Sequence, residues 1–134
     1  MSKEPGNEIA AAPAVIDLSE LDTIVASGRG FELELRHPTS EKPLGQFITI
    51  LGKDSEQFRA AKRNRVAEPL TMEESEERSV MQLVAATTGF RNILYKGEKL
   101  EFSVANARRL YMEQLWIRRQ VDKGIADLEN FIKD

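Results

Sequence analysis

The sequence predicts a mainly α-helical α+β domain: an N-terminal β-hairpin packed on about four helices, preceded by a flexible arm. Two patterns carry that prediction. Phe31, Leu33 and Leu35 alternate with Glu32, Glu34 and Arg36, the period-two signature of a half-buried strand, and a β-branched run follows at Phe47–Leu51. Beyond Gly52 the period lengthens to that of helices, with apolar residues three and four apart behind recognisable caps. A chain of 134 residues with 41% hydrophobic and 31% charged residues is long enough for one small core. Residues 1–28 are therefore read as the arm and 29–134 as a single α+β domain.

The arm mixes Pro5, Gly6, an alanine-rich run, Pro13 and Gly28 without a sustained period, so it buries too little to offset its ordering. Within it, Ile16, Leu18, Leu21 and Ile24 fit a helical turn or two after Asp17, an element suited to docking on the domain or on a partner. Strands 31–36 and 47–51 are separated by a loop holding Pro38, Pro43 and Gly45, which suggests a long-looped antiparallel hairpin. The second strand is apolar on both faces and needs cover on both, from helices on one side and from another molecule on the other.

Asp54 or Ser55 caps a helix expected over 55–66, stopped by Pro69. Thr71 followed by Glu74 is a capping box, and Val80, Leu83, Val84 and Thr87 then form one stripe, giving a helix over 72–88 that ends at Gly89. Residues 90–100 read as a connecting loop that drops Phe90 and Ile93 into the core. Ser103 opens a helix over 104–112, and Ile117, Val121, Gly124, Ile125, Leu128 and Ile132 line a last one over 116–132. No proline lies between Asn106 and Lys133, so composition also permits one rod of roughly 40 Å, and a bend near Gln114 is left open. Gly124 in mid-helix costs about 1 kcal/mol relative to alanine, so either a neighbouring helix approaches there or the helix is locally weak.

Composition excludes several function classes. The formal charge is −3, which gives no global attraction to nucleic acid or anionic lipid. The chain has no cysteine, hence no disulfide, thiolate nucleophile or Cys-ligated metal. The longest apolar stretch, Ile9–Ile16, contains Pro13 and falls far short of the about 20 residues that span a bilayer. The single histidine, His37, precedes Pro38 in the hairpin loop, and no serine sits in a Gly-x-Ser-x-Gly elbow. An enzyme is not expected, nor is any cofactor or metal, because Glu73, Glu74, Glu76 and Glu77 lack ligand spacing and suit a helix N-terminus. Arg59, Lys62, Arg63 and Arg65 suit a phosphate backbone, but they also suit the end of one helix facing the acidic start of the next across Pro69. The remaining lead is apolar. Phe47, Ile48 and Ile50 on the second strand, with Tyr111 and Trp116 off the main stripe of the last helix, are the candidate protein-contact residues; for Tyr111 and Trp116, core and interface both stay open.

Two strings carry a resemblance: Gly45–Arg59, GQFITILGKDSEQFR, and Lys99–Lys133, KLEFSVANARRLYMEQLWIRRQVDKGIADLENFIK. Gly52, Asp54 and Ser55 before a basic helix, then Phe102, Ser103, Asn106, Ala107, Leu110 and Tyr111, then Trp116, Ile117, Arg118, Gln120, Val121, Asn130 and Phe131 resemble the tail assembly chaperones of long-tailed, siphovirus-like bacteriophages. The similarity spans residues 30–134. Two positions depart from that pattern: Phe90 stands where the family often has tryptophan, and Leu115 where it has proline. The resemblance implies a non-enzymatic, self-associating protein of the host bacterial cytoplasm that holds the tape-measure protein soluble while the tail tube assembles, and that is absent from the mature virion. It also implies contact with the tail tube protein through a frameshifted longer form. The competing readings are a structural head–tail completion or connector protein and, third, a small nucleic-acid-binding regulator.

Overall fold

A computed structural model describes residues 15–64 and 70–133. A 3-10 turn at Leu18–Leu21 leads into α1 (Thr23–Gly28), then β1 (Phe31–Arg36), β2 (Pro43–Ile50), α2 (Glu56–Arg63), α3 (Met72–Ala85), β3 (Thr87–Arg91), the short β4 (Leu94–Tyr95) and β5 (Glu98–Lys99), α4 (Val104–Glu113), α5 (Leu115–Ala126) and a closing 3-10 turn, Leu128–Asn130. The α+β class, mainly helical, is as the sequence predicts. No helix among the described residues is long and apolar enough to cross a membrane.

The hairpin forms as its alternation requires, with Phe31 opposite Ile50 and Leu33 opposite Ile48. A bulge between Glu34 and Arg36 brings Arg36 opposite Pro43, at the strand start where a proline is tolerated. The sheet, however, has a third strand. β3 pairs antiparallel with the other edge of β2, so the order is β1-β2-β3 and the most apolar strand is central. Residues 90–100 are thus not a plain connecting loop. Thr87 and Thr88 also leave the helix predicted over 72–88, which ends at Ala85, because β-branched threonines suit the strand and the Thr87 hydroxyl satisfies the Leu83 carbonyl at 2.8 Å. The hairpin β4–β5 turns at Lys96 and Gly97, both at positive φ (53° and 82°), as a two-residue turn matching strand twist demands.

The helices begin where their caps stand. Ser55, rather than Asp54, accepts the Phe58 amide at 3.2 Å, while Asp54 accepts the Thr23 hydroxyl. Thr71 and Glu74 complete a reciprocal capping box, and Ser103 accepts the Asn106 amide at 3.0 Å. The bend near Gln114 is real: Gln114 has φ −120° and ψ 93°, separating α4 from α5. The last helix stops at Ala126, not 132, because Asp127 turns extended and caps the 3-10 turn. Phe131 then folds back edge-on to Phe31, ring centroids 6.0 Å apart.

The core lies between one face of the sheet and helices α3, α4 and α5, with Ile48, Ile50, Val80, Leu110, Tyr111 and Val121 among its buried side chains. Gly124 is explained by the sheet, not by a neighbouring helix: a Cβ there would lie 2.8 Å from Ile50 Cδ1 and 3.4 Å from Leu33 Cδ2. Of the arm expected over 1–28, residues 1–14 lie outside the described residues. The rest is not all arm. Ala26 and Ser27 are buried, Ser27 O accepts the Gly52 amide at 2.9 Å, and a Cβ at Gly52 would overlap the Ser27 side chain. The folded unit therefore begins at α1, ahead of residue 29.

Candidate protein-contact site

Three of the five contact candidates are core. Ile48, Ile50 and Tyr111 have no solvent exposure, so none of them is available to a partner. The physical reason is that β2 became central and turned its isoleucines onto the helices. Tyr111 is held by a buried pair: the Thr87 hydroxyl donates to Leu83 O, so its oxygen is left to accept from the Tyr111 hydroxyl at 2.7 Å. Burial pushes the Tyr111 phenol well above its ordinary pKa.

Phe47 is half-buried on the opposite sheet face, opposite Glu34 on β1 and Arg91 on β3. The Arg91 guanidinium lies 3.9 Å from the ring centroid and is anchored by Glu32 through two hydrogen bonds of 2.7 and 2.8 Å. Those bonds hold the Glu32 carboxyl below its ordinary value. On this face the chain's own Arg91, held by Glu32, packs over Phe47.

Trp116 alone stands at an open apolar surface. It is half-buried, donates from Nε1 to Gln114 Oε1 at 3.2 Å, and walls a groove of about 260 Å³ where the α4–α5 bend meets the far end of the hairpin. Leu35, Ile93, Leu110 and Ile117 are buried beneath the groove, while Leu44 and Leu94 rise around it with 37% and 62% of their surface exposed. Tyr95 completes the wall, donating its hydroxyl to Glu113 at 2.7 Å and accepting from Gln114 Nε2 at 3.0 Å. That bond first, then Lys96 and Arg109, lowers the Glu113 pKa. Sequence reasoning missed Leu44 and Leu94; Leu94 lay in the presumed loop, and the Lys96–Gly97 turn was the signal for its hairpin.

A second open apolar surface runs along residues 16–25. Ile16, Leu18, Leu21, Ile24 and Val25 are each about half exposed or more, whereas the side turned to the domain offers Thr23, Ala26 and Ser27. This segment is inside out by size, large apolar groups facing water and small ones facing the core.

The charged clusters resolve into local pairs. Arg59 and Arg63 meet Glu56 of their own helix at 3.6 and 2.8 Å, and Lys62 lies 5.2 Å from the Phe58 ring; Arg65 lies outside the described residues. Glu73 and Glu74, at the start of α3, line the cleft that it shares with this basic helix. Glu77 pairs with Arg108 and Glu76 with Arg118, tying α3 to α4 and α5. A wider cleft of about 620 Å³ lies between α2 and α3, lined by Ala61, Asn64, Leu70 and Met81 among others. His37 closes its loop, Nδ1 accepting the Thr39 and Ser40 amides at 3.2 Å. Among the described residues no three His, Cys, Asp or Glu side chains are grouped to hold a metal ion.

Comparison of the chain with models of known protein families, with curated proteins and with solved structures finds no match.

Proposed function

We propose that this protein is a non-enzymatic assembly chaperone of the long-tailed bacteriophage type, which binds the tape-measure protein and keeps it soluble while tail tube subunits assemble. The observation that carries the reading is the pair of open apolar surfaces: the groove at Leu44, Leu94 and Trp116, and the row from Ile16 to Val25. The resemblance over residues 30–134 supports it, and so does the use of the single histidine as a turn closure.

A tape-measure protein is a long chain expected to expose apolar helical stripes before the tube encloses it. A groove of this size accepts two or three large side chains, so one copy binds weakly and many copies bound along one client bind tightly through effective concentration. Self-association of the chaperone serves the same end. In this reading the tail tube protein is reached through a frameshifted longer form, and the protein works in the infected cell's cytoplasm and leaves before the particle is complete.

Co-expression with the tape-measure protein tests the proposal. The client is expected in the soluble fraction with the wild type and in the pellet with Leu94→Asp/Trp116→Ala. Equal solubility with and without the protein refutes it, and its recovery from purified particles by mass spectrometry favours the head–tail connector instead.

A further inference from the structure

We infer that α1, with the 3-10 turn before it, is a releasable strap: it opens from the domain as a unit while the sheet and the other helices stay folded.

Its docked face is poor in what holds a helix down. Of the residues Thr23–Gly28 only Ala26 and Ser27 are buried, and Ile24 and Val25 are about half exposed. Ala26 offers a single methyl group of apolar burial. Ser27 is worse than neutral. Its hydroxyl is enclosed and has no hydrogen-bond partner among the described residues, a cost present only while the strap is closed, because water satisfies the group once it opens. Among the described residues, the hydrogen bonds set against that cost run from the Thr23 hydroxyl to Asp54 and from the Gly52 amide to Ser27 O at 2.9 Å. A helix this short adds no stability of its own. Segments with so few buried contacts open locally, well below the free energy of global unfolding.

The seat is close-fitting and the exit is hinged. A Cβ at Gly52 would overlap Ser27 Oγ, lie 2.7 Å from Ser27 Cβ and 3.0 Å from Phe131 Cδ2, so α1 closes only because residue 52 has no side chain. Gly28 has open space where its Cβ would stand, and Gly30, at φ 86°, leads into β1. The strap therefore swings about Arg29 without disturbing the pairing of Phe31 with Ile50.

What the strap carries gives its opening a consequence. Closed, the apolar row from Ile16 to Val25 is held against the domain and is bent at Asp22, whose φ of −69° and ψ of 102° part the 3-10 turn from α1. Open, the row moves freely on its hinge. A partner that grips the row from all sides binds the open form alone and draws the equilibrium toward it by that preference. The opening itself is a property of the free protein and does not depend on the client proposed above.

Native-state hydrogen exchange of the full chain tests the strap, because three consecutive amides report different events: Leu51 donates to Ala86 O at 2.7 Å, Gly52 to Ser27 O, and Lys53 to Ile125 O at 2.9 Å. Opening frees only the middle one. After correction for intrinsic rates, Gly52 and Ala26 are expected to exchange at least about tenfold faster than Leu51 and Lys53. Ser27→Ala, which removes the unpaired hydroxyl, is expected to slow Gly52 and Ala26 about tenfold and to leave Leu51 and Lys53 unchanged. Thr23→Val, which removes the bond to Asp54, is expected to speed the same two amides several-fold, and Gly52→Ala is expected to leave Ala26 unprotected with Leu51 and Lys53 still protected. A common rate for the three consecutive amides, no slowing in Ser27→Ala, no speeding in Thr23→Val, or a Leu51 amide that loses protection together with Ala26 makes α1 an integral part of the domain and overturns the inference.

Discussion

Leu115→Pro tests the α4–α5 junction most sharply, because the structure and a continuous helix demand opposite outcomes. In an uninterrupted helix a proline at 115 removes one hydrogen bond and clashes with the preceding turn, costing about 3 kcal/mol or more. Here Leu115 is the first residue of α5 and its amide donates to no group among the described residues; the Tyr111 carbonyl accepts instead from Arg118 Nε at 2.8 Å. Gln114 already has the extended φ and ψ that a following proline imposes, and the first helical position is where proline is preferred. Restricting the unfolded chain contributes about 0.4–1 kcal/mol of stability. Leu115 is 46% exposed, so trimming its side chain gives back only part of a leucine's burial, a few tenths of a kcal/mol. The net change is about 0 to +1 kcal/mol, a Tm within about 4 °C of the wild type. Urea unfolding followed by far-UV circular dichroism measures it. A loss of about 2 kcal/mol or more means that the helix runs through Gln114 and that the argument is wrong.

Two further outcomes follow from the packing and the charges. Gly124→Ala gains about 1 kcal/mol of helix propensity but overpacks Ile50, a loss of about 1–3 kcal/mol, so a net loss of about 0–2 kcal/mol is expected. Ile50→Val alone costs about 0.5–1.5 kcal/mol, yet it removes the Cδ1 that the new methyl meets. The double variant should therefore be about 1 kcal/mol more stable than the sum predicts, and strict additivity in chemical denaturation would remove Ile50 as the reason for the glycine. Glu32 and Glu77 are held below their ordinary 4.5 by hydrogen bonds from Arg91 and Arg108. A depressed folded value means that their contribution is present above pH 4.5 and is lost as pH falls through the lowered folded values. Glu32→Gln/Glu77→Gln should flatten the fall in stability as the pH drops below 4.5, more visibly at low salt because both pairs are exposed; unchanged slopes would show that the pairs contribute nothing.

Much of this architecture was legible because the signals are local. A cap and the amides it satisfies lie within three residues, so Ser55, Thr71 and Ser103 mark their helices without reference to the rest of the chain. The alternation from Phe31 to Leu35 likewise reports which side of β1 is buried. The candidate site was harder. Ile48 and Ile50 are as apolar as any contact residue, and nothing in their neighbourhood says that a strand 40 residues later will pair with β2. Tyr111 lies off the stripe of α5 only if α4 and α5 are one rod; the break at Gln114 rotates it into the core. Leu44 and Leu94, short apolar points in segments read as loop, became part of a groove through the meeting of β2 and β4 with the bend.

By itself the sequence determined the periods, the caps and the lack of thiol chemistry, since these depend on residue type and on neighbours within a few positions. Tertiary structure alone decided that β2 is central, that Arg91, held by Glu32, packs over Phe47, that Gly124 is a point of contact with the sheet, and that large apolar side chains at 16–25 face outward. Those outcomes depend on which surfaces meet once distant segments are brought together, and burial is a property of that meeting rather than of any residue.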